Sequence, residues 1–369
     1  MLRLGAAHAL LPRQFGAGEV LRTASCRASL ARGKWLYGWE FPMSKTRILI
    51  TTTSFQDTPG RHHDLLAGDA YDIERARGPL SESAIFALVG DYDAILCGDD
   101  AFTRPVLQKC LPRLRVLSKY GIGVDKVDLQ AATDLRIPVT FCPGVNHVTV
   151  AEHTFGLLLA LTRQIPQHDA IVKRGEWQRG VGRELAGKTL GLLGLGRIGR
   201  EVARRAVAFD MRVCAYDVTW DEGFARHWGI IRHPTAEAVL RHADVVSLHM
   251  NLSEDNRGYM NAARLALLKP GAYLINCARG GLVDEADVAA ALQGGQLAGY
   301  GADVVEPEPV APTNPLLTAP NVVLTPHVGS RTYESVERQA VMAVENMLRV
   351  LQGQTPHAQA NTLEPQSGS

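Results

Sequence analysis

Residues 188–217 read KTLGLLGLGRIGREVARRAVAFDMRVCAYD, and this stretch decides the fold. Its apolar start predicts a buried strand, which runs into the glycine-rich turn G-x-G-x-x-G at 194–199. Apolar residues then recur at helical spacing along one face, which predicts an amphipathic helix before a second strand at 212–216. That strand ends in an acid, Asp217. This succession predicts a dinucleotide-binding unit.

The residue types of this unit match what a pyrophosphate and an adenosine ribose require. Gly194 permits the tight turn, Gly196 lets the backbone approach a pyrophosphate, and Gly199 allows close packing of helix on strand. The helix N-terminus offers free N–H groups and a partial positive charge to the phosphates. Asp217 can accept both ribose hydroxyls and would repel a 2′-phosphate, and the next two residues supply no arginine for one. The unit therefore predicts NAD rather than NADP.

The composition is typical of a globular enzyme and argues against several other classes of protein. The chain has 369 residues, 46% of them hydrophobic and 21% charged, with a net charge of +1. Such a balance gives no broad electrostatic footprint for nucleic acid or an anionic membrane. No apolar run approaches the roughly 18 residues of a membrane span. The six cysteines form no CxxC and no metal-like spacing, so we expect no metal site and reduced, buried thiols.

Residues 1–42 differ in composition from the rest of the chain. They hold six basic residues against two acids, a bias typical of a mitochondrial presequence. The alternative, which we favour, is a translated upstream extension with the true start at Met43 and a cytoplasmic protein. We expect this segment to be disordered in either case.

The remainder alternates short apolar strands with helices, which predicts an α/β fold with parallel sheets. Before the dinucleotide unit, we predict strands at 48–51, 94–97, 115–118 and 137–141, and helices at 80–89 and 148–162. After it, we predict strands at 243–249, 271–277, 297–305 and 321–325, and helices at 284–292 and 334–351. The last helix has an apolar stripe, and we expect it to pack back on the first domain.

Three strand ends carry residues that suit hydride chemistry, because ligands bind beyond the carboxyl ends of strands in such sheets. His327 can donate a proton to a ketone oxygen as hydride arrives, and a carboxylate beside it raises its pKa. Arg279 can bind a substrate carboxylate through two hydrogen bonds and polarise the carbonyl. The third strand end is followed by an acid-rich segment containing Glu306 and Glu308. Taken singly, Arg279 could instead cap a strand end and Glu308 could be a solvated loop acid.

Several longer motifs resemble one family. They are GLLGLGRIGREVARR (191–205), INCARGGLVDE (275–285), ADVVEPEP (302–309) and NVVLTPHVGS (321–330). In this order they are similar to the D-isomer-specific 2-hydroxyacid dehydrogenases, and most to the phosphoglycerate dehydrogenase-like branch. The resemblance runs from Met43 to about Gly353.

The resemblance implies a role for individual residues. It makes Arg279, Glu308 and His327 the catalytic group, with Glu308 rather than Glu306 as the partner of His327. It implies that NAD is bound by Gly194, Gly196, Arg197, Ile198, Gly199, Asp217, Cys277, Ala278, Arg279, Asp303, His327 and Gly329. It implies that Gly121, Ile122 and Gly123, together with Arg279, bind the substrate.

The family also implies the domain plan. A Rossmann NAD-binding domain (148–329) is inserted into a flavodoxin-like substrate-binding domain (43–147 plus 330–356), and we expect a disordered tail at 357–369. Residues 163–183, called the arm below, have little core character. The resemblance implies that they pack on a second subunit of a homodimer, although a surface connection would also explain them.

The sequence leaves the substrate and the direction of the reaction open. Phosphoglycerate dehydrogenases often carry an arginine where this chain has Asp99 and Asp100, although Lys119 keeps one basic group nearby. The acid is therefore phosphoglycerate or an unphosphorylated compound, as in a hydroxypyruvate or glyoxylate reductase. A different class of function is an NADH-sensing corepressor-like binding protein, because relatives of this fold act in that way.

Overall fold

The computed structural model describes residues 26–31, 34–39 and 45–363. Two short strands, β1 (Cys26–Ala31) and β2 (Lys34–Trp39), pair antiparallel within the segment for which we predict disorder. The rest of that segment, and with it most of the disorder prediction, lies outside the described residues.

The first domain is built on a five-stranded parallel sheet. Its strands are β3 (Thr46–Ile50), β4 (Tyr71–Arg75), β5 (Ala94–Cys97), β6 (Val116–Lys119) and β7 (Val139–Thr140). They lie in the order β4-β3-β5-β6-β7, and every residue of β5 and β6 is buried. The intervening helices are α1 (Thr53–Asp57), α2 (Glu82–Leu88), α3 (Arg104–Lys109) and α4 (Leu129–Asp134).

Two helices lead out of this domain. The first is α5 (His147–Thr162), which is largely buried, and the second is α6 (Ile165–Lys173), which has no buried residue and begins the arm. Among the described residues, no helix is both long and apolar enough to cross a membrane.

The second domain contains a seven-stranded, all-parallel sheet. Its strands are β8 (Thr189–Leu193), β9 (Arg212–Tyr216), β10 (Ile231–Arg232), β11 (Val245–Leu248), β12 (Ala272–Asn276), β13 (Leu297–Ala302) and β14 (Val322–Leu324). Its helices are α7 (Arg197–Ala208), α8 (Glu222–Trp228), α9 (Ala236–His242), α10 (Ala262–Leu265) and α11 (Glu285–Gln293). The strands lie in the order β10-β9-β8-β11-β12-β13-β14. From β8 the chain adds β9 and β10 on one side and then β11 to β14 on the other, so the switch point lies between β8 and β11. A crevice for a ligand forms at such a switch point.

The last helix, α12 (Tyr333–Leu351), returns to the first domain. Its apolar stripe joins the core formed by Ile48, Ile50, Leu96 and Val116, all of which are fully buried. The hydroxyl of Ser118 also donates to the carbonyl of Ala343 at 2.8 Å. The α/β fold class, with one parallel-sheet domain set between the two parts of another, is therefore confirmed, and the domain boundaries stay predictions.

The prediction of an unstructured tail from residue 357 is wrong as far as residue 363. Strand β7 lies at the edge of the first sheet, and this segment supplies hydrogen-bond partners for its backbone. The N–H of Ala360 donates to the carbonyl of Val139 at 2.7 Å, and the buried side chain of Asn361 accepts from the N–H of Val139 at 2.9 Å. An unpaired strand edge leaves polar groups without partners, which is why this polar segment is ordered.

Candidate active site

The turn between β8 and α7 accepts only glycine at two of its positions. Gly194 has a φ of +101°, and a Cβ on it would lie 2.6 Å from the carbonyl oxygen of His249. A Cβ on Gly199 would lie 2.3 Å from the carbonyl oxygen of Gly194. Gly196, by contrast, faces open space with no atom within 4 Å of such a Cβ. The turn is therefore packed on one side and leaves a backbone surface free on the other.

The predicted ribose-binding acid lies beside that free surface. One carboxylate oxygen of Asp217 accepts from the N–H of Leu195 at 2.5 Å, and the other accepts from the N–H of Thr219 at 2.7 Å. Arg197 and Ile198 begin α7, Arg197 extending to Gly144 of the first domain and Ile198 packing on the core. An open turn, a helix N-terminus and a fixed carboxylate fit a dinucleotide.

The remaining predicted site residues follow three neighbouring strands. Arg279 comes after β12, Asp303 and Glu308 after β13, and His327 after β14. Parallel neighbours lie about 4.8 Å apart and end on the same edge of the sheet. The structure thus brings together side chains that are up to 48 positions apart in sequence, from 279 to 327.

His327 and Glu308 form a direct pair. The Nδ1 of His327 lies 2.8 Å from a carboxylate oxygen of Glu308. This hydrogen bond raises the pKa of His327, although partial burial opposes the rise. Because a carboxylate accepts only, Nδ1 carries the proton in this pair, and Nε2 is left for exchange with a ligand.

Asp303 fixes the backbone of the loop that carries His327. His327 has a φ of +53°, a left-handed conformation that is rare for a residue other than glycine. Its N–H donates to the carbonyl of Asp303 at 2.8 Å. The Asp303 carboxylate accepts from the N–H groups of Val328 and Gly329 at 2.8 and 2.7 Å. This carboxylate therefore holds the loop that carries His327 in a conformation that would otherwise be strained.

Two further side chains complete the surroundings of Asp303. The hydroxyl of Thr325 donates to its carboxylate at 2.6 Å, and the Nε2 of His153 lies 2.9 Å from that hydroxyl oxygen. Burial alone would raise the pKa of Asp303, but these groups and the two backbone amides hold it below its usual value. His153, on α5, thus belongs to the same network.

Arg279 points from the second domain toward the loop 121–123 of the first. Its Nε donates to Asp125 at 2.8 Å, and its Nη1 donates to the carbonyl of Ala278 at 2.7 Å. A Cβ on Gly123 would lie 1.9 Å from Nη2 of Arg279, so the guanidinium rests directly on this glycine. Gly121, with a φ of +121°, forms the same turn with Ile122. We call the space between these strand ends of the two domains the cleft.

Backbone geometry around Arg279 depends on a buried amide. The side chain of Asn276 donates to the carbonyl of Arg279 at 2.8 Å and accepts from the N–H of Ala278 at 3.0 Å. Between them lies Cys277, which is buried, and burial raises the pKa of its thiol to about 12. Cys277 is therefore a neutral thiol and not a nucleophile.

The first domain contributes a second charged pair to the cleft. The buried ammonium of Lys119 lies 2.9 Å from a carboxylate oxygen of Asp99. Although desolvation opposes it, Lys119 lowers the pKa of Asp99 to about 2, with smaller contributions from His327 and Arg279. Asp100, the other acid singled out by the sequence, is fully buried and accepts from the N–H groups of Leu80 and Gly98. Only one of the two acids therefore adds charge to the cleft.

The structure adds residues to which the sequence assigned no role. They are Asp125, His153, Asn276 and Thr325. Asp125 lies 154 positions from Arg279, so no local pattern links the two. The one sequence feature that could have indicated such a residue is a polar side chain at the end of an apolar strand, as with Asn276. Within residues 45–363, no three His, Cys, Asp or Glu side chains are grouped to hold a metal ion.

Comparison with known proteins agrees with this arrangement. Residues 155–329 match the sequence model of the "D-isomer specific 2-hydroxyacid dehydrogenase, NAD binding domain". The chain is 38% identical to a glyoxylate reductase of Thermofilum pendens over 295 residues, which cover 77% of this chain and 85% of that protein. It is 38% identical to a D-3-phosphoglycerate dehydrogenase of Methanocaldococcus jannaschii over 286 residues, 77% of this chain but 54% of that protein.

A solved structure resembles most of the described fold. The TT0316 protein from Thermus thermophilus superposes with a TM-score of 0.78 at 38% identity. The superposition covers 85% of this chain and 100% of that protein. By contrast, this chain spans about half the length of the phosphoglycerate dehydrogenase that it matches.

Proposed function

The chain belongs to the D-isomer-specific 2-hydroxyacid dehydrogenase family, and we propose that it reduces a short, unphosphorylated 2-oxo acid such as hydroxypyruvate or glyoxylate. It is an NAD-dependent oxidoreductase that acts on the CH–OH group of 2-hydroxy acids. What remains to be assigned is the role of each residue, the acid and the assembly.

The observation that carries the proposal is the His327–Glu308 pair at the strand end next to Arg279 and the dinucleotide turn. When bound, NADH supplies the hydride. In its protonated form, which the hydrogen bond to Glu308 favours, His327 gives its Nε2 proton to the substrate oxygen on which negative charge develops. Arg279 and the backbone N–H groups of residues 121–123 hold the substrate carboxylate and favour one orientation of the ketone.

The cofactor roles follow from the same geometry. The open face of Gly196 and the start of α7, with Arg197, suit the pyrophosphate, and Asp217 suits the ribose hydroxyls. Asp303 supports the loop of His327, and the family resemblance assigns its carboxylate to the nicotinamide amide.

The charge of Asp99 supports an unphosphorylated substrate. Its carboxylate stays ionised because Lys119 lowers its pKa, and its side chain is 55% exposed. The positive charge of Lys119, which is 4% exposed, is thereby already neutralised. A phosphate group would add roughly two negative charges next to this carboxylate. The repulsion between them would weaken substrate binding, and more so as water is excluded.

A steady-state comparison of three acids with NADH tests the proposal. We expect kcat/KM for hydroxypyruvate and glyoxylate to exceed that for 3-phosphohydroxypyruvate by about tenfold or more, the effect of roughly one unfavourable charge contact. A preference for the phosphorylated acid would overturn the substrate assignment. Tight NADH binding without oxidation by any 2-oxo acid would instead favour the corepressor-like alternative.

The arm supports a homodimer. Residues 172–184 are exposed without interruption, and Trp177 and Val181 are 76% and 89% exposed. Two large apolar side chains exposed within five residues of one segment are a candidate interaction surface. Sedimentation of the full chain and of a Trp177→Ser, Val181→Ser variant tests this; a monomeric wild type would refute it.

We also assign the protein to the cytoplasm, a reducing compartment. The five cysteines whose side chains the structure describes, Cys97, Cys110, Cys142, Cys214 and Cys277, are free and buried. Free thiols are usual where disulfides do not persist. Fractionation of cells that express the full chain tests the assignment, and recovery with mitochondria would revive the presequence interpretation of residues 1–42.

A further inference from the structure

The guanidinium of Arg279 is held from three sides. Asp125 takes Nε, the carbonyl of Ala278 takes Nη1, and Gly123 lies under Nη2. Among the described residues, Nη2 has no hydrogen-bond partner. Nη2 is therefore the guanidinium nitrogen that is free to donate to a substrate carboxylate, and it lies beside the loop 121–123.

We propose that Asp125 is a positioning residue that sets the orientation of Arg279 from the opposite domain. By accepting from Nε, the carboxylate fixes the rotation of the guanidinium plane and leaves Nη2 beside the loop 121–123. Without it, the guanidinium could rotate about its stem toward solvent, since the side chain is 32% exposed. This inference rests on the proposed function, in which Arg279 binds the substrate carboxylate.

The loop that carries Asp125 is fixed firmly enough to determine the position of the Arg279 guanidinium. The N–H of Phe102 donates to the carbonyl of Lys126 at 2.9 Å, and the N–H of Val127 closes a turn onto the carbonyl of Val124 at 2.9 Å. Phe102 and Val127 are buried. Asp125 is therefore tied to the core of the first domain, whereas Arg279 is tied to the second through Asn276.

The pair consequently joins domain approach to the orientation of Arg279. Because its two members belong to different domains, the 2.8 Å contact exists only when the domains are as close as they are here. Arg279 is therefore oriented by Asp125 when the cleft is formed, and it loses this contact when the domains separate. The Asp125–Arg279 pair contributes little free energy to the approach of the domains, since both side chains are partly exposed. The pair acts instead by setting the geometry of the guanidinium.

Gly123 offers an independent way to disturb the same contact. Its φ is not in the left-handed region, so alanine would cost no backbone strain there. The three atoms nearest to the new Cβ would belong to side chains, namely Arg279 at 1.9 and 3.0 Å and Asp125 at 2.9 Å. Gly123→Ala should therefore displace the guanidinium while leaving the fold intact.

The test uses oxamate, an unreactive analogue of a 2-oxo acid, titrated into the complex of the full-length protein with NADH and followed by nucleotide fluorescence. The variants are Asp125→Ala, Asp125→Asn, Arg279→Lys, the double Asp125→Ala/Arg279→Lys, and Gly123→Ala. Asp134→Asn is the matched control, because Asp134 pairs with Arg104 at 2.6 Å outside the cleft. Steady-state kcat and KM are measured in parallel.

We expect Asp125→Ala and Gly123→Ala to weaken oxamate binding about tenfold and to lower kcat/KM by about ten- to hundredfold, the scale of a misplaced catalytic group. Asp125→Asn, which keeps an acceptor, should lose less. In the Arg279→Lys background, the loss of Asp125 should cost under about threefold, because the group that it orients is gone. NADH affinity and the control should stay near wild type.

Two results would overturn the inference. The first is near-normal oxamate binding and kcat/KM in Asp125→Ala while Arg279→Lys is impaired, which would leave the proposed function standing. The second is full additivity of the two losses in the double variant, which would mean that Asp125 acts independently of Arg279. Near-normal oxamate binding and turnover in Arg279→Lys would instead refute the role of Arg279 itself, and the inference with it.

Discussion

The two faces of the cleft differ in how firmly their charged groups are held. On the second-domain face, His327, Asp303 and the backbone of Arg279 are each fixed by two or more hydrogen bonds. On the first-domain face, Asp99 and Asp125 each show one side-chain contact and are 55% and 45% exposed.

This difference separates two tasks. Proton transfer and hydride transfer need atoms fixed within a fraction of an ångström, and a dense hydrogen-bond network provides that. Choice among acids depends on charge and shape next to the variable end of the substrate, for which single side chains suffice. Changes on the second-domain face, and at Asp125, which acts through Arg279, should therefore lower the rate for every acid. A change at Asp99 on the first-domain face should instead alter the ratio between acids.

The largest effect is expected for His327→Gln. Losing the proton donor should lower kcat about 10²- to 10⁴-fold for every 2-oxo acid, the usual scale of general acid catalysis. NADH affinity, measured by fluorescence titration, should persist because the dinucleotide turn is untouched. The measurement is kcat with hydroxypyruvate and with glyoxylate.

His357→Gln is the matched control for that change. His357 also lies near a glutamate, Glu345 at 3.6 Å, but on the first domain away from the cleft. Its kcat should equal that of the wild type. If His327→Gln kept near-normal turnover, His327 would not be the proton donor, and the contrast between the faces would lose its main support.

A smaller, pH-dependent effect is expected for Glu308→Gln. Reduction needs the imidazolium, which exists below the pKa of His327, so kcat/KM falls as the pH rises through that pKa. The hydrogen bond that His327 donates to Glu308 is the main cause of the raised pKa and extends the active range upward. Its loss should move the alkaline limb of the profile to lower pH and lower kcat/KM about tenfold near neutral pH.

Glu306→Gln provides the comparison within the same segment. Glu306 is 52% exposed and lies near Arg257 at 3.8 Å rather than near a histidine. Its pH profile should coincide with that of the wild type. An unmoved alkaline limb in Glu308→Gln would mean that another group sets the pKa of the proton donor.

The second-domain face was also the part that the sequence predicted best. Its strands are apolar, its turn has a steric signature, and its reactive residues follow strands that are neighbours in the sheet. Strand β9 was predicted to the residue, and α5, which packs on this domain, to within one residue. Strand β4, Tyr71–Arg75, was missed because it is a sheet edge with polar residues at most positions.

Contacts between distant segments were beyond the sequence for a physical reason. Pairs such as Asp125 with Arg279, or Val139 with Asn361, are 154 and 222 positions apart. They exist only once two domains meet, or once the C-terminal segment reaches the edge of the first sheet. The same holds for the surroundings of Asp303, where Thr325 and His153 come from a strand end and from a helix. A single sequence shows residue types and periodicity, and neither of these predicts which distant segments come into contact.

The smallest effect concerns the first-domain face. Asp99→Asn keeps the shape of the side chain and an oxygen for Lys119, but it removes the negative charge beside the substrate. The freed ammonium can then attract a phosphate. We expect the ratio of kcat/KM for 3-phosphohydroxypyruvate to that for hydroxypyruvate to rise about tenfold, the value of roughly one charge contact at a half-exposed site.

A ratio measured within one variant cancels any general loss of folded protein, so it isolates the choice of substrate. Raising the salt concentration should shrink the change, because exposed charges are screened. Asp134→Asn removes an acid of the same domain outside the cleft and should leave the ratio unaltered. If Asp99→Asn lowered the rates for both acids equally, Asp99 would act on the chemistry rather than on the choice of acid, and the division of tasks between the two faces would be wrong.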